Sequence, residues 1–188
     1  PHADEKLAAD ELQDHLQLMS GVDVPSVTAG EDGGGTMVYV GDAADPKLDA
    51  EIRKKGSDPA SFALRVGNGR IDIRGLSPEG TLFGTYELLE QLGVRWFMPG
   101  ELGRVVPRER TRVALKDQLT VHVPSFPARW LHGTMKAPTW QRRMRMGGFF
   151  VPPSHGGVPK DVTDKEAIRA HADKIVQAIR GKKLTEPH

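Results

Sequence analysis

The sequence predicts a domain of the α/β class, of the α+β type, in which a mixed β-sheet forms one layer and helices pack on one face of it. Apolar residues alternate with other residues over positions 62–66 and again over 71–73, and Asn68-Gly69 separates the two runs. Because Asn-Gly supplies the positive φ angles of a two-residue turn, this segment is predicted to be a β-hairpin. Apolar residues at helical spacing occur before and after it. Such flanking helices predict a two-layer sandwich.

The first helix is predicted over residues 4–19 and ends at Ser20-Gly21. Val24–Val27 contains a proline, which cannot donate to a ladder, so it is predicted to be a short edge strand. The apolar run 37–40 lies between two glycines and is predicted to be a central strand, buried on both faces. A short helix is predicted over residues 45–55.

The next helix, over residues 78–92, has local signals at both ends. Ser77 is placed as its N-cap, with Pro78 at the first helical position and Gly93 just past the end. Its apolar residues fall on two sides, so it is predicted to need two neighbours. One side, which consists of Leu82, Phe83, Tyr86 and Leu89, is predicted to pack against the sheet. The other, with Gly84 and Leu88, is predicted to face the following domain and to be partly exposed.

Beyond Trp96 the pattern changes to short extended segments over 105–107, 112–115, 119–123 and 129–132. Prolines become frequent from Pro124 onward, so the chain is predicted to divide into residues 1–123 and 124–188, the second part being incomplete. A last amphipathic helix is predicted over residues 164–180, with Thr163 and Glu166 as a capping box.

Three segments carry a resemblance when taken in order: residues 8–25, the hairpin 62–80, and residues 80–101, which read GTLFGTYELLEQLGVRWFMPGE. Together they resemble the N-terminal domain that precedes the catalytic barrel in β-hexosaminidase-like and α-glucuronidase-like glycoside hydrolases, and the resemblance covers roughly residues 3–133. It implies a hexosaminidase domain-2-like fold, a non-catalytic supporting role and a catalytic domain that follows in cis. It further implies a glycan or uronic-acid-containing substrate and a periplasmic or extracellular location.

The same resemblance assigns candidate substrate-binding residues. Phe126-Pro127-Ala128-Arg129 matches the Phe-Pro-x-Arg element that opens the barrel's first strand, and its arginine would hydrogen-bond sugar hydroxyls or form an interdomain ion pair. The chain departs from the family where Trp130-Leu131-His132-Gly133 replaces a glycine and then an aspartate. Trp130 is a candidate for contact with a sugar face, and His155 resembles a loop histidine at the barrel mouth.

Charge is unevenly distributed although the net charge is only +1. Residues 1–60 carry 5 basic and 13 acidic side chains, whereas residues 101–160 carry 11 basic and 3 acidic ones. The two parts are therefore expected to attract each other. Arg142-Arg143-Met144-Arg145 near Trp130 and Trp140 leaves two alternatives open: a standalone carbohydrate-binding or adhesion module, and a nucleic-acid-binding domain. The favoured interpretation has no nucleic-acid partner.

No catalytic constellation is recognised. The paired acids 4–5, 10–11 and 87 with 90 lie on predicted helix faces, where solvated charge is the expected role. The sequence has no cysteine and no closely spaced histidines, so no metal site is predicted. The glycine run 33–35 lacks the lysine of a phosphate loop, so no cofactor is expected. No apolar run is long enough to span a membrane. The chain begins at Pro1, which suggests an excised or processed piece.

Overall fold

The computed structural model describes residues 2–27, 35–108, 115–131, 134 and 136–148, together with the single positions 166, 169, 173, 176 and 177. Its helices and strands follow one another in this order: α1 (Ala3–Ser20), β1 (Met37–Val40), α2 (Leu48–Lys55), β2 (Phe62–Gly67), β3 (Arg70–Gly75), α3 (Pro78–Gln91), β4 (Arg95–Trp96), β5 (Arg104–Val105), β6 (Gln118–His122), β7 (Ala128–Arg129), α4 (Pro138–Arg143) and β8 (Gly147–Gly148).

A four-stranded mixed sheet forms the centre of this structure, in the order β1-β3-β2-β6. β1 runs parallel to β3, and the other neighbours are antiparallel. The hairpin of β2 and β3 is confirmed, with Leu64 opposite Ile73 and with positive φ angles of 53° at Asn68 and 71° at Gly69. The coarse prediction of an α+β domain with a mixed sheet is therefore confirmed.

The main core lies between one face of the sheet and the helices α1 and α3. Alternate residues of β2 and β3 point to this face, so Phe62, Leu64 and Ile73 are fully buried there. The predicted ends of both helices are reproduced to within about two residues. Gly21 adopts the left-handed conformation after α1, and the Ser77 hydroxyl accepts a hydrogen bond from the Gly80 amide at the start of α3.

The prediction that helices pack on one face is wrong, because α2 covers the opposite face of the sheet. Leu48 and Ile52, one helical turn apart, pack on Ala63 of β2 in a second, smaller core. Ala63 lies between Phe62 and Leu64 and so points away from the main core. Its small side chain leaves room for a helix that the hairpin pattern alone did not indicate.

Two strand predictions at the other end of the sheet are also wrong. β1 is an edge strand with four half-buried residues, not a central one. Val24–Val27 forms no strand. The segment lies beside α1, where the Gln13 side-chain amide donates to the Val24 carbonyl at 2.7 Å. Because no strand pairs with its outer side, β1 terminates the described sheet.

The predicted orientation of α3 is reversed for Gly84 and Leu88. A Cβ atom on Gly84 would lie 2.8 Å from Cγ2 of Ile73, so this glycine faces the sheet. Leu88 is only 1% exposed and belongs to the main core. Hence neither residue forms an interdomain face. Leu82, Phe83, Tyr86 and Leu89 are all buried, as expected, but Tyr86 contacts Trp96 in an edge-to-face arrangement at 5.5 Å between ring centroids.

Several predictions fall partly or wholly outside the described residues. Most of segment 112–115 does, as do His132 and the capping box at Thr163, although positions 166, 169, 173, 176 and 177 are helical. The division at 123/124 stays a prediction. Within the described residues, no helix is long and apolar enough to cross a bilayer.

Candidate functional site

The docked segment, defined here as residues 126–131, 134 and 136–148, lies against the outer side of α1 and α3. The segment contains β7, α4 and β8, and Arg129 of β7 pairs with Gly147 of β8. Pro138 begins α4, where its missing amide donor costs nothing. The Trp140 indole donates to the Trp96 carbonyl at 2.9 Å and joins the segment to β4.

Three arginines attach the docked segment to acidic residues of the two helices. Arg142 lies 3.3 Å from Asp4, and Arg143 donates to both carboxylate oxygens of Glu11, at 2.9 and 3.1 Å. The third pairing is double, since Arg145 contacts Glu87 at 2.9 Å and Glu90 at 2.6 Å. The expected attraction between residues 1–60 and 101–160 is therefore confirmed for Arg142 with Asp4 and for Arg143 with Glu11, whereas Glu87 and Glu90 lie outside the acidic part. Four of the paired acids are bound by arginine rather than by solvent alone.

The Glu11–Arg143 pair belongs to a buried polar cluster between α1, α3 and β4. His15 is 1% exposed, and its Nδ1 lies 2.7 Å from the Glu11 carbonyl and 3.4 Å from Glu11 Oε2. Its ring meets Trp96 edge to face at 5.6 Å, and the Arg143 guanidinium lies 5.6 Å from the Trp96 ring. Four buried polar atoms of the cluster have no hydrogen-bond partner: His15 Nε2, Tyr86 Oη, Trp96 Nε1 and Arg143 Nε.

Burial sets the titration behaviour of this cluster. Desolvation lowers the pKa of His15 below its ordinary value, outweighing the hydrogen bond and the charge of Glu11, which act in the opposite direction. Desolvation likewise raises the pKa of Tyr86. Both side chains are therefore held in their neutral forms, and the Glu11–Arg143 pair carries the charge of the cluster.

Arg129, the sequence-predicted sugar-binding arginine, is held by backbone carbonyls. Its Nε donates to the Arg145 carbonyl at 3.0 Å and its Nη1 to the Phe126 carbonyl at 2.8 Å. Nη2 is buried without a hydrogen-bond partner. The neighbouring Trp130 is 47% exposed, whereas His155 lies outside the described residues. Arg129 and Trp130 are thus neighbours only because they are consecutive in the chain, and no position is described for His155.

Glu79, in the first turn of α3, is a neighbour of Arg129 that sequence reasoning missed. A Cβ atom on Gly147 would lie 2.8 Å from Glu79 Oε1 and 3.7 Å from Arg129 Nη2. Burial raises the pKa of Glu79, and the positive charge of Arg129 is the first influence that opposes this rise. No local motif connects Glu79 with Arg129, so only the docking of β7 and β8 on α3 could reveal this relation.

A second group of arginines and aspartates covers the opposite face of the sheet and is here called the sheet network. Arg65 and Arg70, on neighbouring strands, each donate to the fully buried Asp72, at 2.7 Å from its carboxylate. Burial alone would raise the pKa of Asp72, but the hydrogen bonds of Arg70 and Arg65 outweigh it and lower the pKa. The remaining members, which extend the network toward β1 and α2, are Asp42, Asp45, Asp49 and Arg74.

The sheet network is a structural arrangement rather than a site, because each of its three arginines and four aspartates has an opposite charge as partner within it. Arg70 also stacks on Tyr39, with 3.7 Å between the guanidinium carbon and the ring centroid. An open recess of about 420 Å³ borders Arg74, but it is lined by Asp42, which pairs with Arg74, and by His2 and Glu5, which cap α1. In the described part of the chain no group of three or more histidines and carboxylates could hold a metal ion.

Comparison with protein-family models and with curated proteins finds no match to this chain.

Proposed function

We propose that this chain is the N-terminal support domain, with the first segment of the following domain, of a glycoside hydrolase-like protein. Its substrate would be a glycan or a uronic-acid-containing sugar, and its location the periplasm or the cell exterior. The observation that carries the proposal is the contact of the docked segment with α1 and α3. Through it, an α+β domain holds the Phe-Pro-x-Arg element that resembles the start of a sugar-binding barrel strand.

The carboxylates of the described residues favour support over catalysis. Glycoside hydrolysis commonly needs two carboxyl groups about 5–9.5 Å apart that flank the scissile bond, one of them kept protonated. The acids of both arginine clusters instead pair with guanidinium groups. Among the described residues, Glu79 is the one carboxyl group whose pKa is raised overall, and burial is the main cause.

Arg129 is the residue we propose for sugar contact. Two of its nitrogens bind carbonyl oxygens and fix the plane of the guanidinium, so the remaining N–H groups have a fixed direction. Trp130 follows it with a half-exposed ring, and an aromatic face of this kind suits the apolar face of a sugar ring. This exposed ring also favours the second candidate, a standalone carbohydrate-binding module.

The nucleic-acid alternative loses its main support. It requires arginines that are available to phosphate groups, but Arg142, Arg143 and Arg145 pair with Asp4, Glu11, Glu87 and Glu90. Binding of a charged polymer would have to break these pairs first.

The test uses residues 1–188 and three probes: chromogenic glycosides, methyl β-D-glucuronide and a single-stranded oligonucleotide. We expect no hydrolysis, weak binding of the methyl glycoside that disappears in Arg129→Met, and no oligonucleotide binding at 0.15 M salt. Hydrolysis that depends on one carboxylate of this chain would contradict a support role. Oligonucleotide binding that weakens steeply with salt would instead favour the nucleic-acid alternative.

A further inference from the structure

Glu79 and Arg129 border the same small space although they belong to different parts of the fold. Glu79 lies at the start of α3, and Arg129 lies in β7 of the docked segment. The space between them contains the position that a Cβ atom on Gly147 would occupy, at 2.8 Å from Glu79 Oε1 and 3.7 Å from Arg129 Nη2. Only glycine at position 147 leaves this space open.

The Arg129 guanidinium lacks a carboxylate partner, and the Glu79 carboxyl group could supply one. Carbonyl oxygens take two nitrogens of Arg129, but Nη2 is buried without an acceptor, and carbonyl groups do not neutralise the guanidinium charge. Glu79 is half-buried, and the largest cationic influence on it comes from Arg129, with Arg142 weaker. Opposite charges on the two sides of this small space attract each other strongly when protein rather than water surrounds them.

We infer that Glu79 is a positioning residue for Arg129, so that α3 of the support domain fixes the direction in which the proposed sugar-binding guanidinium points. The role in sugar contact rests on the proposed function. The attraction between the two side chains does not depend on it. Gly147 serves the same purpose, because a methyl group there would push the end of the Glu79 side chain away from Arg129.

The first measurement is the pKa of Glu79, followed by side-chain carboxyl NMR in the 188-residue chain. We expect Arg129→Met to raise this pKa by more than half a unit and Arg129→Lys, which keeps the charge, to change it less. Arg142→Met is the matched control and should have the smaller effect of the two methionine variants. An unchanged pKa in Arg129→Met, with the amide spectrum of the folded chain retained, would overturn the inference.

The second measurement is the Kd of methyl β-D-glucuronide. We expect Glu79→Gln to weaken binding about tenfold, Glu79→Asp to restore most of it, and Glu51→Gln on α2 to have no effect. If the pKa coupling is present and the wild-type chain binds no sugar, the proposed function fails while the positioning role stands. If the sugar binds and Glu79→Gln leaves Kd unchanged, the positioning role is wrong and the proposed function stands.

Discussion

The sheet network and the docking interface both consist of arginines paired with carboxylates, but they connect very different parts of the chain. The sheet network joins residues between positions 42 and 74, and its centre, Asp72 with Arg65 and Arg70, lies on strands that are already neighbours in the ladder. The docking interface, formed by Arg142, Arg143 and Arg145 with their acidic partners, joins residues 55 to 138 positions apart, from Arg145 with Glu90 to Arg142 with Asp4. The first therefore stabilises a sheet that backbone pairing has formed, whereas the second decides whether two segments stay together.

The largest expected effect follows from breaking the sheet network at its buried centre. Asp72→Asn removes the charge that Arg65 and Arg70 share, and it leaves two arginines without their main acceptor. Removal of one partner of a buried pair costs about 3–5 kcal/mol, and the partial exposure of both arginines places our expectation near 3 kcal/mol in the free energy of unfolding. Chemical denaturation measures the loss. Asp42→Asn, whose side chain is 88% exposed, is the control and should cost less than about 1 kcal/mol.

A smaller effect is expected at the docking interface. Arg143→Met should lower the free energy of unfolding by about 2 kcal/mol, because Glu11 keeps a largely buried charge without the arginine nitrogen that donates to both of its oxygens. Unlike Asp72→Asn, it should release the docked segment while the sheet stays folded. The fluorescence of Trp140 and Trp96 would then change at lower denaturant than the far-UV signal. A double-mutant cycle with Glu11→Gln should give a coupling of about 1–2 kcal/mol, and a coupling near zero would contradict an energetic role for the pair.

The pH dependence should separate the two regions into different windows. The folded-state pKa of His15 lies below its ordinary value of 6.5, so the unfolded chain binds the proton more tightly. Stability from this residue is complete above pH 6.5 and is lost as the pH falls toward the folded pKa, by at most about 1.4 kcal/mol per pH unit.

Asp72 acts in a more acidic window. Its folded pKa lies below 3.8, so its contribution is present above that pH and is lost as the pH falls through the folded value.

Denaturation of the wild-type chain and of His15→Gln between pH 7.5 and 5 tests the contribution of His15. The variant should lose part of the slope in that range, and identical slopes would contradict the assignment to His15.

The smallest expected effect concerns the exposed rim of the interface. Arg142 is about half exposed and lies 3.3 Å from Asp4, so Arg142→Gln should change the free energy of unfolding by about 0.5 kcal/mol or less. The change should disappear in 0.5 M salt, where the Debye length is only a few ångströms. An effect as large as that of Arg143→Met at both salt concentrations would remove the distinction between rim and buried cluster.

Much of the fold could be predicted because its signals are local. Asn68-Gly69 sets the hairpin, since both residues adopt the positive φ angles that the turn requires. Ser77 and Pro78 set the start of α3 through atoms no more than three residues apart. The apolar stripe of α1 also predicted its extent. The His2 cap of α1 was missed, because histidine is not among the residues that usually occupy that position.

The orientation of elements could not be predicted in the same way. Gly84 and Leu88 lie on an apolar side of α3 that periodicity identifies, but periodicity does not say which neighbour each side meets. The sheet took that side, because Ile73 and Phe62 fill the space beside Gly84. The acidic side, with Glu79, Glu87 and Glu90, faces the docked segment instead. Likewise, residues 24–27 lie beside α1 and do not pair with β1. β1 is therefore an edge strand of the described sheet.

The sequence by itself determined the elements with local caps and turns, the alternation that gives the sheet an apolar face, and the opposite charges of the two parts of the chain. Only the tertiary structure decided which acid each arginine meets and that Glu79 reaches the space beside Arg129 and Gly147. The physical reason is the range of the forces. Turns and caps depend on atoms a few residues apart, whereas a charge pairs with whichever opposite charge the packing of distant surfaces brings within about 4 Å.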